Sequence, residues 1–231
     1  NMVTAAMEKR VGGLVLDRAP LKVLPEEEKN AVLMKVIREK GLQLLSWNDE
    51  ARLLQSRLGS LRTWRPDEGW PDLGDGHLLD TLEDWLTPFL NSLYKLTELE
   101  RLDLSMILKT LIPWELQSRM DELVPVRISV PSGSQIAVQY FADGRSPVME
   151  VRLQEMFGQP ETPVINEGRT KVLLHLLSPG YKPVQVTQDL SNFWHNTYHD
   201  VRKELRMRYP KHSWPEDPWT AVAVRGVKRR T

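Results

Sequence analysis

His195 and His199 stand four residues apart in the segment HNTYH. On a helix that spacing puts both imidazoles on one face, as half of a metal site requires. No glutamate occupies the zinc-protease position and Asp200 is the only further candidate ligand, so the pair reads as surface histidines. His175, in LLHLL, falls inside a predicted strand and reads as a buried or half-buried structural residue. The acids Asp80, Glu83 and Asp84, or Glu98 and Glu100, could serve as an acid and a base. Each set lies opposite an apolar helical stripe, the pattern of a solvated face. No GxxxxGK followed by Ser or Thr occurs, and no GxGxxG, so the chain has no loop to cradle nucleotide phosphates. No Ser/His/Asp set has a spacing that carries meaning. Catalytic, cofactor-binding and metal-binding residues are therefore all expected to be absent.

The basic end offers different chemistry. Arg202, Lys203, Arg206, Arg208 and Lys211 are followed by Trp214 and Trp219 in YPKHSWPEDPW, and then by RGVKRR. Cations neutralise phosphate and release counterions, and rings stack on bases, which is what single-stranded nucleic acid needs. The same residues can do structural work. Tyr209, Trp214 and Trp219 would then be a strap, tucked under the prolines and pinning the tail to its neighbour. Prolines stiffen the segment, so a tryptophan can bury with little further loss of entropy. That argument favours the strap, and both readings stay open.

The elements must supply the positions. The chain has 231 residues, 41% of them hydrophobic, enough for one large or two small domains. It has no cysteine, which excludes disulfides, zinc fingers and thiol catalysis and fits a reducing cytosol. Its net charge of zero hides an acidic stretch over 66–105 and a basic end over 199–231. No apolar run is long enough to span a membrane, and NMVTAAMEKR lacks a signal-peptide core. Asn1 ahead of Met2 looks like a cut edge, as in a piece of a longer chain.

KRVGGLVLDRAPLKVLP reads as one or two strands with a turn near Arg18–Pro20. From Pro25 the period is helical. The first helix carries Val32, Leu33, Val36 and Ile37 on its apolar face. A second, after Ser46 or Asn48, carries Leu54, Leu58 and Leu61, and a third, from His77 to about Leu90, carries Leu78, Leu82, Trp85, Leu86 and Phe89. Most tryptophans from Trp47 to Trp85, and Trp114, read as core or hairpin corners. The period then changes to two. Val126, Ile128 and Val130 alternate, as do Ile136, Val138 and Tyr140 across PSGS, which predicts a β-hairpin. About five strands are expected between 126 and 187. DLSNFWHNTYHDVRKELRMRYP reads as one or two helices ended by Pro210.

The strings LIPWELQSRMDELVP, PSGS, VRLQEMFGQPETP, VLLHLLSPGYKPVQVTQDLSNFW and VRKELRMRYPKHSWPEDP resemble the C-terminal region of the HrpB family of bacterial helicases. These are DExH-type, ATP-dependent RNA helicases of superfamily 2. The resemblance runs from GGLVL to the basic tail and is strongest from Trp114 onward. It implies that ATP, magnesium and the DExH box belong to motor domains upstream of Asn1, so the parent hydrolyses nucleotide while this part does not. It implies no catalytic residue here. In related helicases an oligonucleotide-binding barrel contacts the emerging single strand.

The expected fold is therefore α+β. Strands over 1–24 form the edge of a preceding or split β domain. A helical subdomain over 25–124 is inserted in, or packed on, a small antiparallel β-barrel or sheet over 125–187, OB-like and completed by the early strands. Helices and an extended basic tail follow over 188–231. The expected partners are the motor domains in cis and single-stranded RNA or DNA, in the bacterial cytoplasm and without a membrane. Ser132, Ser134, Arg145, Arg202, Lys203, Arg206 and Lys211 are the candidate nucleic-acid contacts. The alternative is a protein-interaction module that uses the acidic stretch, with Asp75, Asp80, Glu83 and Asp84, and the C-terminal tail.

Overall fold

The computed structural model describes residues 6–11, 13–20 and 25–226. Lys228, Arg229 and Arg230 of the predicted basic tail lie outside the described residues. The chain forms two compact units. One comprises the residues up to Leu58 together with Trp70–Pro113, the other Gly59–Gly69 together with the residues from Trp114.

The first unit opens with β1 (Ala6–Val11) and β2 (Leu14–Pro20), an antiparallel pair that forms a sheet of its own. The predicted turn at Arg18–Pro20 lies inside β2. The closing pair is Val11 with Leu14. The β1–β2 pair therefore does not complete the larger sheet.

Helix α1 (Glu26–Lys40) has three glutamates in its first turn, Arg38 and Lys40 in its last, and Gly41 at φ 88° as its C-cap, as the helix dipole and left-handed caps favour. Its buried face is Leu33, Met34 and Ile37 with Lys29 and Asn30, while Val32 is 45% exposed. The helix is turned from the predicted face because Lys29 points inward. Its ammonium donates to the Asn91 carbonyl at 2.5 Å and lies 4.5 Å from the Tyr94 ring centroid, and Asn30 donates to the Asn91 side chain.

Helix α2 (Asp49–Trp64) buries Leu54, Leu58 and Leu61 as its spacing requires. The single helix expected over His77–Leu90 is two, α3 (Asp75–Asp80) and α4 (Leu82–Leu90), broken at Thr81. The Trp85 indole donates to the Leu78 carbonyl at 2.8 Å, and the Thr81 hydroxyl to that of His77. The His77 carbonyl also accepts the Thr81 amide at 2.9 Å, so the hydroxyl adds to the last regular bond of α3. Helix α5 (Leu104–Thr110) follows, with Asp103 as N-cap accepting from the Met106 amide at 3.1 Å.

The second unit holds α6 (Trp114–Leu123) and a five-stranded sheet of β3 (Arg127–Ser129), β4 (Gln135–Gln139), β5 (Val148–Arg152), β8 (Leu173–Leu177) and β9 (Pro183–Thr187), in that spatial order. Trp114, predicted to be core or a hairpin corner, is 77% exposed. It opens α6 on the side away from Leu123, which is buried. The β3–β4 hairpin pairs Ile128 with Ile136 across PSGS.

The sheet is mixed, because β5 and β8 run parallel. A parallel pair needs a long crossover, supplied here by residues 153–172, with the 3-10 turn Leu153–Glu155 and the short hairpin of β6 (Val164–Ile165) and β7 (Thr170–Lys171). Among the described residues β3 and β9 are not paired to each other, so of the expected antiparallel barrel or sheet the structure has an open sheet, and a mixed one.

The predicted C-terminal helices are one continuous run, α7 (Leu190–Asn192), a π turn (Phe193–Thr197) and α8 (Tyr198–Arg208). The wider turn sets Tyr198, rather than Thr197, in line with Phe193. Phe157, Phe193, Trp194 and Tyr198 form one buried cluster, with Trp194 and Tyr198 edge to face at 5.4 Å.

Candidate nucleic-acid interface

The tail after α8 lies along residues 154–158 and the β3–β4 turn. The Tyr209 carbonyl accepts from the Trp214 indole at 2.8 Å, and Trp214 is 8% exposed. Arg202 Nε donates to the Trp214 carbonyl at 3.0 Å, the Tyr198 hydroxyl to that of Pro215 at 2.8 Å, and Gln154 Nε2 to that of Ser213 at 2.9 Å. The Gly158 amide donates to the Pro218 carbonyl, the Val224 amide to the Gln154 carbonyl, and Arg225 Nε to the Ser132 carbonyl. Trp219 is half-buried, its ring 4.7 Å from that of His195. Burial raises the Tyr198 hydroxyl well above the usual tyrosine range, partly offset by Arg202, so it stays a neutral donor.

The candidate cations divide. Arg202 is half-buried and holds the tail, with Glu216 at 3.1 Å. Lys203 pairs with Asp200 at 3.2 Å, and Arg208 with Glu204 at 3.1 Å. Arg145 lies 3.8 Å from the Phe141 centroid and 3.8 Å from Asp143. Arg206 and Lys211 are exposed and reach no carboxylate among the described residues.

Ser132 and Ser134 serve a residue that the sequence reading missed. The Ser132 hydroxyl donates to Glu155 at 2.8 Å, its amide donates to the Glu155 carbonyl, and Arg152 reaches the same carboxylate at 2.8 Å. Glu155 is 4% exposed. Burial opposes its charge, but the Ser134 and Ser132 hydroxyls and Arg152 outweigh it and hold the carboxyl below the usual glutamate range. A phosphate brought to either serine meets that carboxylate.

Tyr181 was also missed. It is 67% exposed in the β8–β9 turn, with the Arg152 guanidinium 5.3 Å from its centroid. Its signal in the sequence was an aromatic residue beside the glycine of SPGYK. His212, at 6.0 Å from the Tyr209 ring, is held below the usual histidine range by burial and then by Arg152.

His195 Nδ1 lies 2.9 Å from the Ser191 carbonyl, and His199 packs beside Tyr198. His175 is half-buried, 3.7 Å from Glu150. Among the described residues no group of three His, Asp or Glu is placed to hold a metal, and no helix is long and apolar enough to cross a membrane.

Several acids of the 66–105 stretch are engaged inside the first unit. Glu83 pairs with Arg38, and Asp75 with Arg52 and Gln55. Glu98 accepts from the Tyr94 and Lys95 amides at 2.7 and 2.9 Å. Asp80 and Asp84 are exposed.

Residues 85–218 match the family described as ATP-dependent helicase C-terminal, the HrpB C-terminal family. Over 220 residues, 95% of the chain, the sequence is 40% identical to the ATP-dependent RNA helicase HrpB of Escherichia coli strain K12, and covers 27% of that protein. The crystal structure of E. coli DExH-box NTPase HrpB matches with a TM-score of 0.84 at 40% identity, over 95% of this chain and 27% of that one. The crystal structure of E. coli DEAH/RHA helicase HrpB matches with a TM-score of 0.71 at 39% identity, over 90% and 26%. The chain thus spans about a quarter of the length of the relatives it matches.

Proposed function

Because the chain belongs to the family of HrpB-type ATP-dependent helicase C-terminal regions, we propose that it is the non-motor part of an ATP-dependent RNA helicase. On this reading it supports motor domains carried elsewhere in the parent protein, which bind ATP and magnesium, and it contacts single-stranded nucleic acid. The observation that carries the nucleic-acid half is the pair Arg206 and Lys211, exposed and without a carboxylate partner among the described residues, beside a tail fixed by its own hydrogen bonds. With Lys203 they present cations to phosphate without first breaking a buried pair. The open five-stranded sheet is the proposed counterpart of an oligonucleotide-binding platform.

The protein-interaction alternative has less support, since Glu83, Asp75 and Glu98 already serve partners within their own unit.

The test is fluorescence anisotropy of the full chain with a labelled oligouridine. With three phosphate contacts, affinity falls about twentyfold between about 50 and 200 mM salt. Lys203→Ala, Arg206→Ala and Lys211→Ala combined remove most of that slope. Absence of binding at the lower salt sinks the nucleic-acid half and leaves family membership untouched.

A further inference from the structure

Tyr181 occupies a backbone position that its side chain disfavours. The β8–β9 turn is closed by the Ser178 amide on the Lys182 carbonyl at 2.8 Å and the Tyr181 amide on the Ser178 carbonyl at 2.9 Å. Within it Tyr181 has φ 59°, in the left-handed region that glycine and asparagine adopt readily and bulky residues avoid. A glycine stands next door at position 180, yet it has no positive φ. A Cβ at 180 would lie 2.6 Å from the Tyr209 hydroxyl, so Gly180 gives that side chain room while the left-handed position falls at 181.

Glycine or asparagine at 181 would serve the fold. The chain instead has a tyrosine that is 67% exposed, flanked by the Arg152 guanidinium. Outliers of this kind cluster at ligand sites. The surroundings define the ligand. Arg152 is already neutralised by Glu155 at 2.8 Å, so it steadies the ring and leaves the remaining charge to others. Lys182, the next residue, is exposed, and so is Lys211, two residues beyond Tyr209, whose hydroxyl abuts the turn. An exposed ring, followed in the chain by Lys182 and neighboured through Tyr209 by the segment that carries Lys211, fits a planar base with flanking phosphates.

Resting on the reading that the chain contacts single-stranded nucleic acid, we infer that Tyr181 is a stacking platform for an unpaired base, with Lys182 and Lys211 meeting the flanking phosphates. The inference adds a residue and a contact type to that reading, which rested on cations alone.

The experiment uses the full chain, a labelled oligouridine and an abasic strand of the same length, with anisotropy and thermal melts. Tyr181→Ala weakens oligouridine binding about tenfold, and Tyr181→Phe retains it. Tyr181→Gly weakens binding as alanine does, yet melts no lower than the parent, because the left-handed strain is gone. The abasic strand binds more weakly, and Tyr181→Ala changes its affinity no further. If oligouridine binds the parent chain and the alanine and glycine variants equally well, the platform is overturned and the cationic contact stands. If phenylalanine weakens binding as much as alanine, the hydroxyl rather than the ring is the contact, and stacking is overturned. If the parent chain binds no oligouridine at low salt, the nucleic-acid reading fails and takes the platform with it.

Discussion

At the scale of single residues, Glu155 carries a consequence for pH. Its charge is held in a site 4% exposed by two hydroxyls and a guanidinium. The folded-state value lies below the unfolded one, so the carboxylate contributes stability that is present at neutral pH. That stability is lost as the pH falls below about 4.5, the ordinary glutamate value. Glu155→Gln therefore lowers stability at neutral pH by about 1–3 kcal/mol, and the gap to the parent narrows in the acid range. Melting curves from neutral to acid pH read this directly, and a gap independent of pH would show that the charge is not what matters. His212 is separable. Its folded value is also depressed, so its contribution is complete above about 6.5 and is lost as the pH falls through that higher window. Neither role was legible in the sequence. Ser132 and Ser134 announce a turn in PSGS, but the partner of their hydroxyls is 23 positions from Ser132. Only the crossover between β5 and β8 brings it there.

At the scale of elements, periodicity located the helices better than it oriented them. The α2 stripe of Leu54, Leu58 and Leu61 was readable because all three leucines stay buried even though Arg57 and Ser60 on the same helix are buried too. The α1 face was not, because Lys29 is buried by an acceptor and a ring 62 and 65 positions away, which no local pattern encodes. The β3–β4 hairpin was legible from its alternation and its turn, whereas the parallel pairing of β5 and β8 depends on a crossover with no sequence period. In the tail, YPKHSWPEDPW could be narrowed to a strap or a nucleic-acid platform, with the stiffening prolines favouring the strap. The hydrogen bonds around Trp214 favour the first for that residue. Trp214→Ala is expected to lower stability by about 3 kcal/mol, as the indole's bond to the Tyr209 carbonyl and its buried surface are lost together. Oligonucleotide affinity is expected to change little. Urea titration beside anisotropy checks both, and affinity loss without destabilisation would assign Trp214 to the ligand instead.

At the scale of the whole chain, the family was readable from long, unusual strings, while the interleaving of the two units was not. Gly59–Gly69 belongs with the residues from Trp114, although the first unit resumes at Trp70. The links are specific. The Arg65 side chain is 1% exposed and donates to the Asn166 carbonyl and side chain, 101 positions away, and to Glu68 and Glu167. Asn166 and Glu167 sit at φ 57° and 54° in the β6–β7 turn, so Arg65 also braces a left-handed pair. Ser60 donates to the Phe141 carbonyl at 2.8 Å and the Trp64 indole to that of Gly144 at 2.6 Å. A Cβ on Gly59 would lie 2.6 Å from Ala142 Cα, so the helix backbone itself abuts that loop. A fragment cut at the apparent boundary, 114–231, leaves these acceptors and the β6–β7 turn without partners. Each lost hydrogen bond costs about 0.5–1.5 kcal/mol net, the apolar surface that 59–69 covers is lost with it, and a small domain has only about 5–15 kcal/mol in total. The fragment is expected to lose its cooperative thermal transition or to melt well below the full chain. Joining residues 59–69 to its N-terminus through a flexible linker restores the transition, and Arg65→Ala in the joined form removes much of the gain. If 114–231 alone melts as cooperatively and as high as the joined form, residues 59–69 are dispensable to the unit they complete.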